Sequence, residues 1–507
     1  MKKPALAAGV LALAVSQASA GTDTWFTPLT ESTTVMAAND VNELTSPWTK
    51  PAELKVTNLM SMREAENSIG ESIVRVSAGN VSSMIDMIWY DKDAKYIFLP
   101  HETPFGAGLS RYNVRKDVTE VLFAGDEGGA AGDWSNDFGA FDPSRVTPNE
   151  TVWVAEEWAG TGRLVEYLDP FGDAPENPVV GAGEVDDNVR VLNAFPLVGH
   201  EGIGFSEVPQ WKNKVVYYVD ENNSGSIYKM VWNKRGDYSV GQTFVLQVLD
   251  FDGDPSLNWN ENGDAPRTGK AKWVPFTDKN GNAVDAIQND PFTEPFGGRP
   301  AADDVGGTPY GRPEDVEVGK LASGNEVLYF AATSEATVYS VEMLGSDYAM
   351  VREFASEAST MKNEGFDPTS ATLSSPDNLA QDALGNIYII EDNPNTTTVG
   401  ATGGDVWFAR DTDNDGVAES LDHMMSLGVN QSEATGMVFN PVKPNEFAIA
   451  VQHPASTDLD NVPDGFGDAV WKVEIKKTPQ NRKFLRDLRR ANKAKRKQAS
   501  RDGQSYK

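Results

Sequence analysis

The chain has 507 residues, with 75 Asp and Glu against 44 Lys and Arg, a formal net charge of −31, four His and no Cys. The absence of Cys excludes disulfides, thiolate catalysis, thiolate zinc sites and iron–sulfur clusters. Because His is also scarce, a metal site must rest mainly on oxygen ligands, which favours Ca²⁺, Mg²⁺ or Mn²⁺ over zinc. The acidic charge argues against nucleic acid as a partner.

The N-terminus has the pattern of an export signal. Lys2-Lys3 precede an apolar run over residues 5–15, and Ala18-Ser19-Ala20 follows. This order is typical of a secretory signal peptide over residues 1–20, cleaved after Ala20. The apolar run is shorter than the roughly 20 residues that a membrane span needs. We therefore expect a soluble, monomeric mature protein in the periplasm or outside the cell.

Short runs of Val, Ile, Tyr and Trp, bounded by Gly, Asn, Asp and Pro, predict a chain made mostly of strands. One pattern recurs six times: an apolar strand ends in polar or acidic residues, a turn follows, and a second strand carries an aromatic residue. The first of the two strands is predicted at Tyr96–Leu99, Val152–Val154, Val216–Val219, Val327–Phe330, Ile387–Ile390 and Phe447–Val451. The turn residues are Gly108, Gly162, Gly225, Ala336, Gly404 and Gly467.

These repeats predict an all-β fold, a six-bladed β-propeller over residues 21–476, in which each unit buries its faces against its neighbours. The interval between Gly225 and Ala336 is nearly double the others. It indicates a long insertion, at about residues 235–310, or an unrecognised blade. We expect the insertion to lie over one face of the ring. A β-sandwich is the alternative fold.

The C-terminal segment, residues 477–507, is a basic tail with twelve Lys or Arg and two Asp. Without it, the rest of the chain carries −41. Such an asymmetry indicates contact with an anionic surface, either lipid or lipopolysaccharide, or the acidic surface of the protein itself. A solvated, partly helical tail is the simpler interpretation.

Acidic residues recur just before the predicted strand pairs. A propeller brings the innermost strand of each blade to a common axis, so these residues can converge. Clustered carboxylates resist full ionisation unless cations lie between them, and convergence therefore implies bound metal. Each residue alone could instead cap a turn. The candidate segments are His200-Glu201, Arg312-Pro313-Glu314-Asp315, Pro376-Asp377-Asn378 and Glu433-Ala434-Thr435-Gly436.

A second metal pattern follows the fifth strand pair. Acidic residues alternate, and Gly416 supplies the sharp turn of a calcium-binding loop. The predicted ligands are Asp411, Asp413, Asp415, Glu419 and, at the twelfth position, Asp422. A plain Asx-rich turn is the alternative.

The acidic segments, together with several others, resemble in their order the motif series of the PhoX-type alkaline phosphatases. The resemblance covers about residues 95–475. The further segments are His101-Glu102, Thr147-Pro148, Val152 to Glu157, Leu379, Gly385-Asn386 and Gln452-His453-Pro454. This likeness implies a secreted six-bladed propeller whose axial site hydrolyses phosphate monoesters with carboxylate-bound iron and calcium.

The resemblance also implies roles for particular residues. It places Glu156, Glu314 and Glu433 among the ligands of the central, catalytic metals, and Glu201, Asp315 and Asp377 as further ligands. In such a site the metals polarise the phosphate and activate an oxygen nucleophile, so no protein nucleophile is needed. Arg312 and Arg111 are candidates for binding the phosphate, with a purely structural role as the alternative.

Ala155 stands where the family has an iron-binding Cys. Without that thiolate, and outside the cytoplasm, Ca²⁺ is expected in preference to Fe³⁺. Two other functions would use the same carboxylates. One is a calcium-dependent lactonase or esterase, and the other is a non-catalytic calcium-binding propeller.

Overall fold

The computed structural model describes residues 24–61, 85–358, 361–454 and 469–505. The predicted signal peptide, residues 1–20, and the predicted turn residue Gly467 lie outside these ranges. Within them, no helix is both long enough and apolar enough to cross a membrane.

The first part of the chain begins with two strands that pair with sheets formed by the end of the chain. It then forms two four-stranded sheets of its own. The early strands are β1 (Trp48–Thr49) and β2 (Leu54–Ser61). The first sheet contains β3 (Trp89–Tyr90), β4 (Tyr96–Pro100), β5 (Gly108–Asn113) and β6 (Val118–Ala124), in that spatial order. The second contains β7 (Phe141–Val146), β8 (Val152–Glu156), β9 (Leu164–Tyr167) and β10 (Val189–Val191).

The middle of the chain forms a nine-stranded sheet from two antiparallel meanders. One meander is β11 (His200–Phe205), β12 (Val215–Asp220), β13 (Ile227–Trp232) and β14 (Gly241–Val248). The other is β16 (Pro313–Lys320), β17 (Glu326–Ala332), β18 (Thr337–Met343) and β19 (Tyr348–Ser356). A bridging strand, β15 (Gly269–Pro275), pairs with both β14 and β19 and so joins the two outer edges.

The last part of the chain forms two more sheets, each completed by an early strand. The fifth unit is β21 (Pro376–Gln381), β22 (Ile387–Glu391), β23 (Gly404–Arg410) and β24 (Ser420–Leu427), extended by β1 and by the parallel strand β20 (Met361–Lys362). The sixth unit is β25 (Glu433–Phe439), β26 (Glu446–Gln452) and β27 (Ala469–Ile475), whose outer edge pairs with β2. The chain therefore closes on itself near its two ends.

The four-stranded units pack face to face in a ring. Their first strands contact one another in the order β3, β7, β11, β16, β21 and β25, and β25 contacts β3 in turn. Each pair of successive units encloses one apolar cluster, for example Phe98, Phe123 and Val154 between units one and two. The fold is all-β and propeller-like, because every sheet buries both faces against its neighbours.

Every predicted strand pair coincides with the second and third strands of a unit, from β4 and β5 to β26 and β27. The number of hydrogen-bonded sheets differs from the prediction, since the described chain has five. The physical reason is the segment near residues 235–310, which supplies β15 and thereby fuses units three and four. The same segment contains helix α2 (Gly298–Asp304), whose Arg299 forms an ion pair with Asp220 at the end of β12.

The described residues contain two further α-helices, α1 (Asn42–Thr45) and the long C-terminal α3 (Arg482–Ser505). Phe484, Leu485 and Leu488 lie on one side of α3 and are buried in the cluster between units five and six. The ring of Phe484 stacks on that of Trp25, with centroids 5.0 Å apart. The basic tail is thus a docked helix over its first two turns, because those turns carry an apolar stripe.

From Asn492 onward, α3 extends across the face of the ring at which the first strands end. Asn492 Nδ2 donates to the carbonyl of Pro441, in the turn after β25, over 3.1 Å. Lys495 Nζ lies 3.8 Å from Glu207, which follows β11. The N-terminal ends of the first strands lie on the opposite face.

We expect Leu488→Ala to destabilise the protein by about 3 kcal/mol, since it deletes a fully buried side chain and leaves a cavity. Urea unfolding followed by fluorescence measures this change. Lys493→Ala on the exposed side of the same helix serves as the control, with an expected change below about 0.5 kcal/mol. Equal stabilities of the two variants would contradict the docking of α3.

Candidate metal centre

The first strands of five units contain a bulge, and in four of them it follows the first paired residue. The register shifts between Phe141 and Ser144, His200 and Ile203, Pro313 and Val316, Pro376 and Leu379, and Thr435 and Val438. A bulge inserts one extra residue and re-aims side chains, and bulges often occur beside functional sites. Four of these bulges carry an acidic residue: Asp142, Glu201, Glu314 and Asp377.

A second source of carboxylates is the end of each unit's second strand. Two polar residues stand there in sequence, and neighbouring side chains point in opposite directions. Glu102 and Glu157 are the second members of two such pairs. They approach the residues from the bulges, whereas the first member of the second pair, Glu156, turns into the sheet.

These six residues and Asp86, which precedes β3, form what we call the acidic cluster: Asp86, Glu102, Asp142, Glu157, Glu201, Glu314 and Asp377. It consists of three overlapping triads, and within each the ligand atoms lie within 4.8 Å of one another. The triads are Asp86-Glu102-Asp142, Asp142-Glu157-Glu201 and Glu201-Glu314-Asp377. Asp142 and Glu201 are shared by two triads each, so the carboxylates form a continuous chain.

The pKa values of the carboxyl groups in the acidic cluster are raised. Burial first, and then repulsion from neighbouring carboxylates, raise the pKa of Asp142 and Glu201 well above the usual range. Burial likewise raises the pKa of Glu102 to about 7 and that of Asp377 to about 8. A cation among the carboxylates would relieve the repulsion and restore their charged forms.

The residues fit a hard cation. Among the described residues, the buried oxygens Asp142 Oδ1 and Glu201 Oε2 have no hydrogen-bond partner. An unpaired buried carboxylate oxygen is costly in a folded protein unless it has a ligand. The donor set consists of carboxylate oxygens, which suits Ca²⁺ and other hard ions.

Polar side chains surround the cluster. Gln452 Nε2 donates to Asp86 Oδ2 over 2.7 Å and also to Glu433. Glu433 itself stands beside Asp86, Asp377 and Asp392, and burial followed by their charges raises its pKa. His453 Nε2 lies 3.5 Å from Glu433 Oε2.

The sequence-predicted ligands fall into two groups. Glu201, Glu314 and Asp377 share one triad, and Glu433 lies next to it. Arg312 is at the same place: its Nη2 is 3.2 Å from Glu314 Oε1, and its Nε donates to Glu221. Arg111, in contrast, is on β5, where it bonds to Glu120 and to the carbonyl of Pro170.

The structure does not bring Glu156 to the cluster. Its two oxygens accept hydrogen bonds from Arg163 over 2.6 and 3.0 Å, and its Oε2 also accepts one from the backbone N–H of Thr161. Glu157, one residue further, occupies the cluster instead. Ala155 is fully buried in an apolar cluster with Trp153 and Leu164.

Asp315 is also displaced from the triads. Its oxygens accept bonds from the backbone N–H groups of Val316, over 2.6 Å, and Leu379, over 3.1 Å. Burial raises its pKa to about 6, partly offset by the charge of Arg145. Asp315 thus ties β16 to β21 while its neighbour Glu314 reaches the cluster.

The predicted calcium loop is separate from the acidic cluster. Oxygens of Asp411, Asp413 and Glu419 lie within 4.8 Å of one another, and burial raises the pKa of Asp411 to about 7. Asp415 instead accepts a bond from the N–H of Val417 over 2.9 Å. Asp422 does not reach the loop, because it lies within β24, where Thr24 and Ser420 donate to it.

Sequence reasoning missed Asp86 and Asp142 and named Glu102 and Glu157 only within motifs. A usable signal existed for the last two, since they are the second members of His101-Glu102 and Glu156-Glu157. Asp142 also precedes a Pro in the first strand of its unit, much as Asp377 follows one. Asp86 has no such pattern, because it precedes the short strand β3.

We expect the metal-free protein to lose stability as pH rises from 5 to 8.5. The folded-state pKa of Asp377 is about 8, above its unfolded value, so folding binds a proton at this site that is lost as pH rises through 8. Chelated wild-type protein should be less stable at pH 8.5 than at pH 5 by about 4 kcal/mol, and Asp377→Asn should flatten this dependence. Urea unfolding at both pH values tests it, with exposed Asp367→Asn as the control. An unchanged slope in Asp377→Asn would contradict the raised pKa.

Comparisons with known proteins identify the family of this chain. The sequence profile described as "Alkaline phosphatase PhoX" matches residues 192–455, just over half of the chain. A search of curated protein sequences gave no significant match.

Among solved structures, the chain is similar to Pseudomonas fluorescens PhoX in complex with vanadate, a transition state analogue. The TM-score is 0.58 at 15% identity, and the match covers 89% of this chain and 98% of that one. A catalytically inactive virginiamycin B lyase from Staphylococcus aureus matches with a TM-score of 0.37 at 9% identity, covering 83% of this chain and 99% of that one. The fold likeness rests on the first structure. Together with the profile match over the acidic bulges of β11, β16 and β21, it shows that the chain belongs to the PhoX alkaline phosphatase family.

Proposed function

We propose that the acidic cluster holds two or more cations and that phosphate monoesters are hydrolysed there. The family is one of metal-dependent phosphatases, which gives the reaction class. The observation that carries the site assignment is the chain of three carboxylate triads with unpaired buried oxygens at one end of the ring. Cations would satisfy these oxygens and make an otherwise anionic site able to accept phosphate.

We further propose that the four-stranded units are the six blades of a propeller. The ring order of their first strands and the apolar cluster between each successive pair support this count. On this proposal β15 is a link added between two blades rather than part of either.

We propose Ca²⁺ as the main cation of the acidic cluster and Fe³⁺ as the alternative. Both are hard ions that accept carboxylate oxygens. The proposed ligands are Glu201, Glu314 and Asp377, together with Asp142 and Glu157. The loop with Asp411, Asp413 and Glu419 is proposed as a separate structural Ca²⁺ site.

When bound, the cations supply Lewis acidity, which polarises the phosphoryl oxygens and lowers the pKa of bound water. Arg312 would bind a phosphate oxygen, because its guanidinium lies at the edge of the cluster beside Glu314. Its backbone is held in the left-handed region, with φ of 51°, an uncommon conformation that is often retained at functional sites.

We propose that Glu433 and His453 hold a proton. The Nδ1 of His453 lies 2.7 Å from the carbonyl of Gln431 and must carry the hydrogen, since a carbonyl only accepts. Burial lowers the pKa of His453, so its Nε2 is unprotonated and faces Glu433 Oε2. We propose that the proton shared by these two atoms is delivered to the leaving oxygen of the ester.

Export is part of the proposal. The pattern of residues 1–20 and the absence of Cys agree with a protein that works outside the cytoplasm. Helix α3 would then meet anionic surfaces, since its exposed residues Arg489, Arg490 and Lys493 face away from the apolar cluster. We propose that α3 binds anionic lipid head groups and leaves the acidic end of the ring open to solvent.

Purified protein should release phosphate from p-nitrophenyl phosphate, and a chelator should abolish this activity until Ca²⁺ is restored. Glu314→Gln and Glu157→Gln should each reduce kcat/KM at least 100-fold with loss of bound metal measured by mass spectrometry, because each removes a charged ligand from a triad. Glu419→Gln, in the separate loop, is the matched control and should retain turnover. Activity that survives complete metal removal would contradict the proposal.

The triple charge reversal Arg489→Glu, Arg490→Glu and Lys493→Glu should weaken binding to phosphatidylglycerol vesicles at least 100-fold. Basic residues near an anionic surface contribute about 1 kcal/mol each, and binding should weaken as salt increases. Co-sedimentation measures the effect, with phosphatidylcholine vesicles as the neutral surface. Reversal of the exposed Lys234, Lys270 and Lys279 on another part of the molecule is the control. Equal loss in both variants would assign the effect to net charge and contradict a role for α3.

A further inference from the structure

Trp158 lies beside the acidic cluster. It directly follows Glu157, a member of the cluster, in the turn between β8 and β9. The residue is 48% exposed, although large aromatic side chains are usually well buried. Its exposure therefore calls for a reason beyond packing.

The indole is held in place by the cluster itself. Trp158 Nε1 donates to Glu102 Oε1 over 2.7 Å, and Glu102 belongs to the first carboxylate triad. The polar edge of the ring is thus fixed to the site while much of the ring remains in solvent. A flat apolar surface that is already oriented loses little entropy on binding a ligand.

The turn that carries Trp158 is tightly packed. A side chain at Gly139 would place its Cβ 2.7 Å from both the Cβ of Ala159 and the carbonyl of Pro104, so the segment before β7 lies closely against this turn and against the loop after β4. Phe105 in that loop stacks on Trp134, with ring centroids 5.7 Å apart, and both are partly exposed. The two segments packed against this turn or its neighbour, the loop after β4 and the segment before β7, thus carry two further partly exposed aromatic rings.

We propose that Trp158 determines specificity by stacking on a planar aromatic leaving group, as in a nucleoside or phenyl phosphate, whose phosphate lies at the acidic cluster. This inference rests on the proposed phosphatase function. The arrangement places an aromatic surface next to Glu157 and Glu102, so one ester could contact the indole while its phosphate lies at the cation-loaded cluster. Esters of small aliphatic alcohols would be bound by their phosphate alone.

The test compares kcat/KM for adenosine 5′-monophosphate and p-nitrophenyl phosphate with that for glycerol 3-phosphate. Stacking of a base on an aromatic side chain is strong enough that Trp158→Ala should lower the preference for the aromatic esters about 10-fold, mainly through KM. Trp158→Phe keeps a stacking surface and loses the bond to Glu102, so it should retain most of the preference. Tyr348→Ala, which removes a 56% exposed aromatic residue on β19, is the control and should change neither ester class.

Equilibrium binding of adenosine 5′-monophosphate and glycerol 3-phosphate to the same metal-loaded variants is measured by calorimetry, so that the inference is tested even if turnover is absent. No hydrolysis of any ester by the wild type would defeat the proposed function, while tighter binding of the nucleotide that Trp158→Ala abolishes would still support the stacking role. An equal fall for both ester classes in Trp158→Ala, or no change in either, would overturn the inference. The equal fall would show that Trp158 only orients Glu102.

Discussion

Repulsion between buried carboxylates at one end of the ring is the main cost that the rest of the structure must offset. Seven acidic side chains occupy this end, and burial and mutual charge raise the pKa of most of them. Such a cluster destabilises the folded state unless cations or protons neutralise it. The apolar clusters between units, which extend around the whole ring, supply compensating stability, since each buries large side chains such as Trp153, Trp407 and Phe98 completely.

A layer of bonds between units holds the carboxylates in place. Asp315 of β16 accepts from the N–H of Leu379 on β21, and Asn378 of β21 accepts from the N–H of Gly436 on β25. At β11 the corresponding position is Gly202, where a Cβ would lie 2.4 Å from the N of Val316, so only glycine allows the approach. Arg145 of β7 joins this layer by donating to the carbonyls of Ile203 on β11 and Val316 on β16, over 2.5 and 3.1 Å. Each bulge is therefore fixed by its neighbour, which keeps the acidic side chains aimed at the axis.

The sequence predicts the strands better than the ligands, and the reason is local. Paired strands are visible in the sequence as apolar runs separated by turn residues. This pattern recurs from Tyr96 to Trp471. A ligand depends on which of two adjacent acids faces the axis, and a bulge shifts that alternation by one residue. At the end of β8 the ordinary alternation puts Glu157 at the cluster and Glu156 in the sheet. In β16 the bulge lets Glu314 reach the cluster while Asp315 bonds to the next strand. The partner that captures Glu156 is Arg163, on the far side of a turn, and no spacing rule identifies it.

The position of Ala155 bears on which metals the site can hold. Family resemblance places an iron-binding thiolate there, but in this chain residue 155 is packed with Trp153 and Leu164 and is fully buried. The described carboxylate triads are complete without it, because Glu157 already joins Asp142 and Glu201. Replacing a thiolate by Ala therefore leaves no gap in the oxygen donor set. It makes the set harder, which favours Ca²⁺ over ions that need a soft ligand.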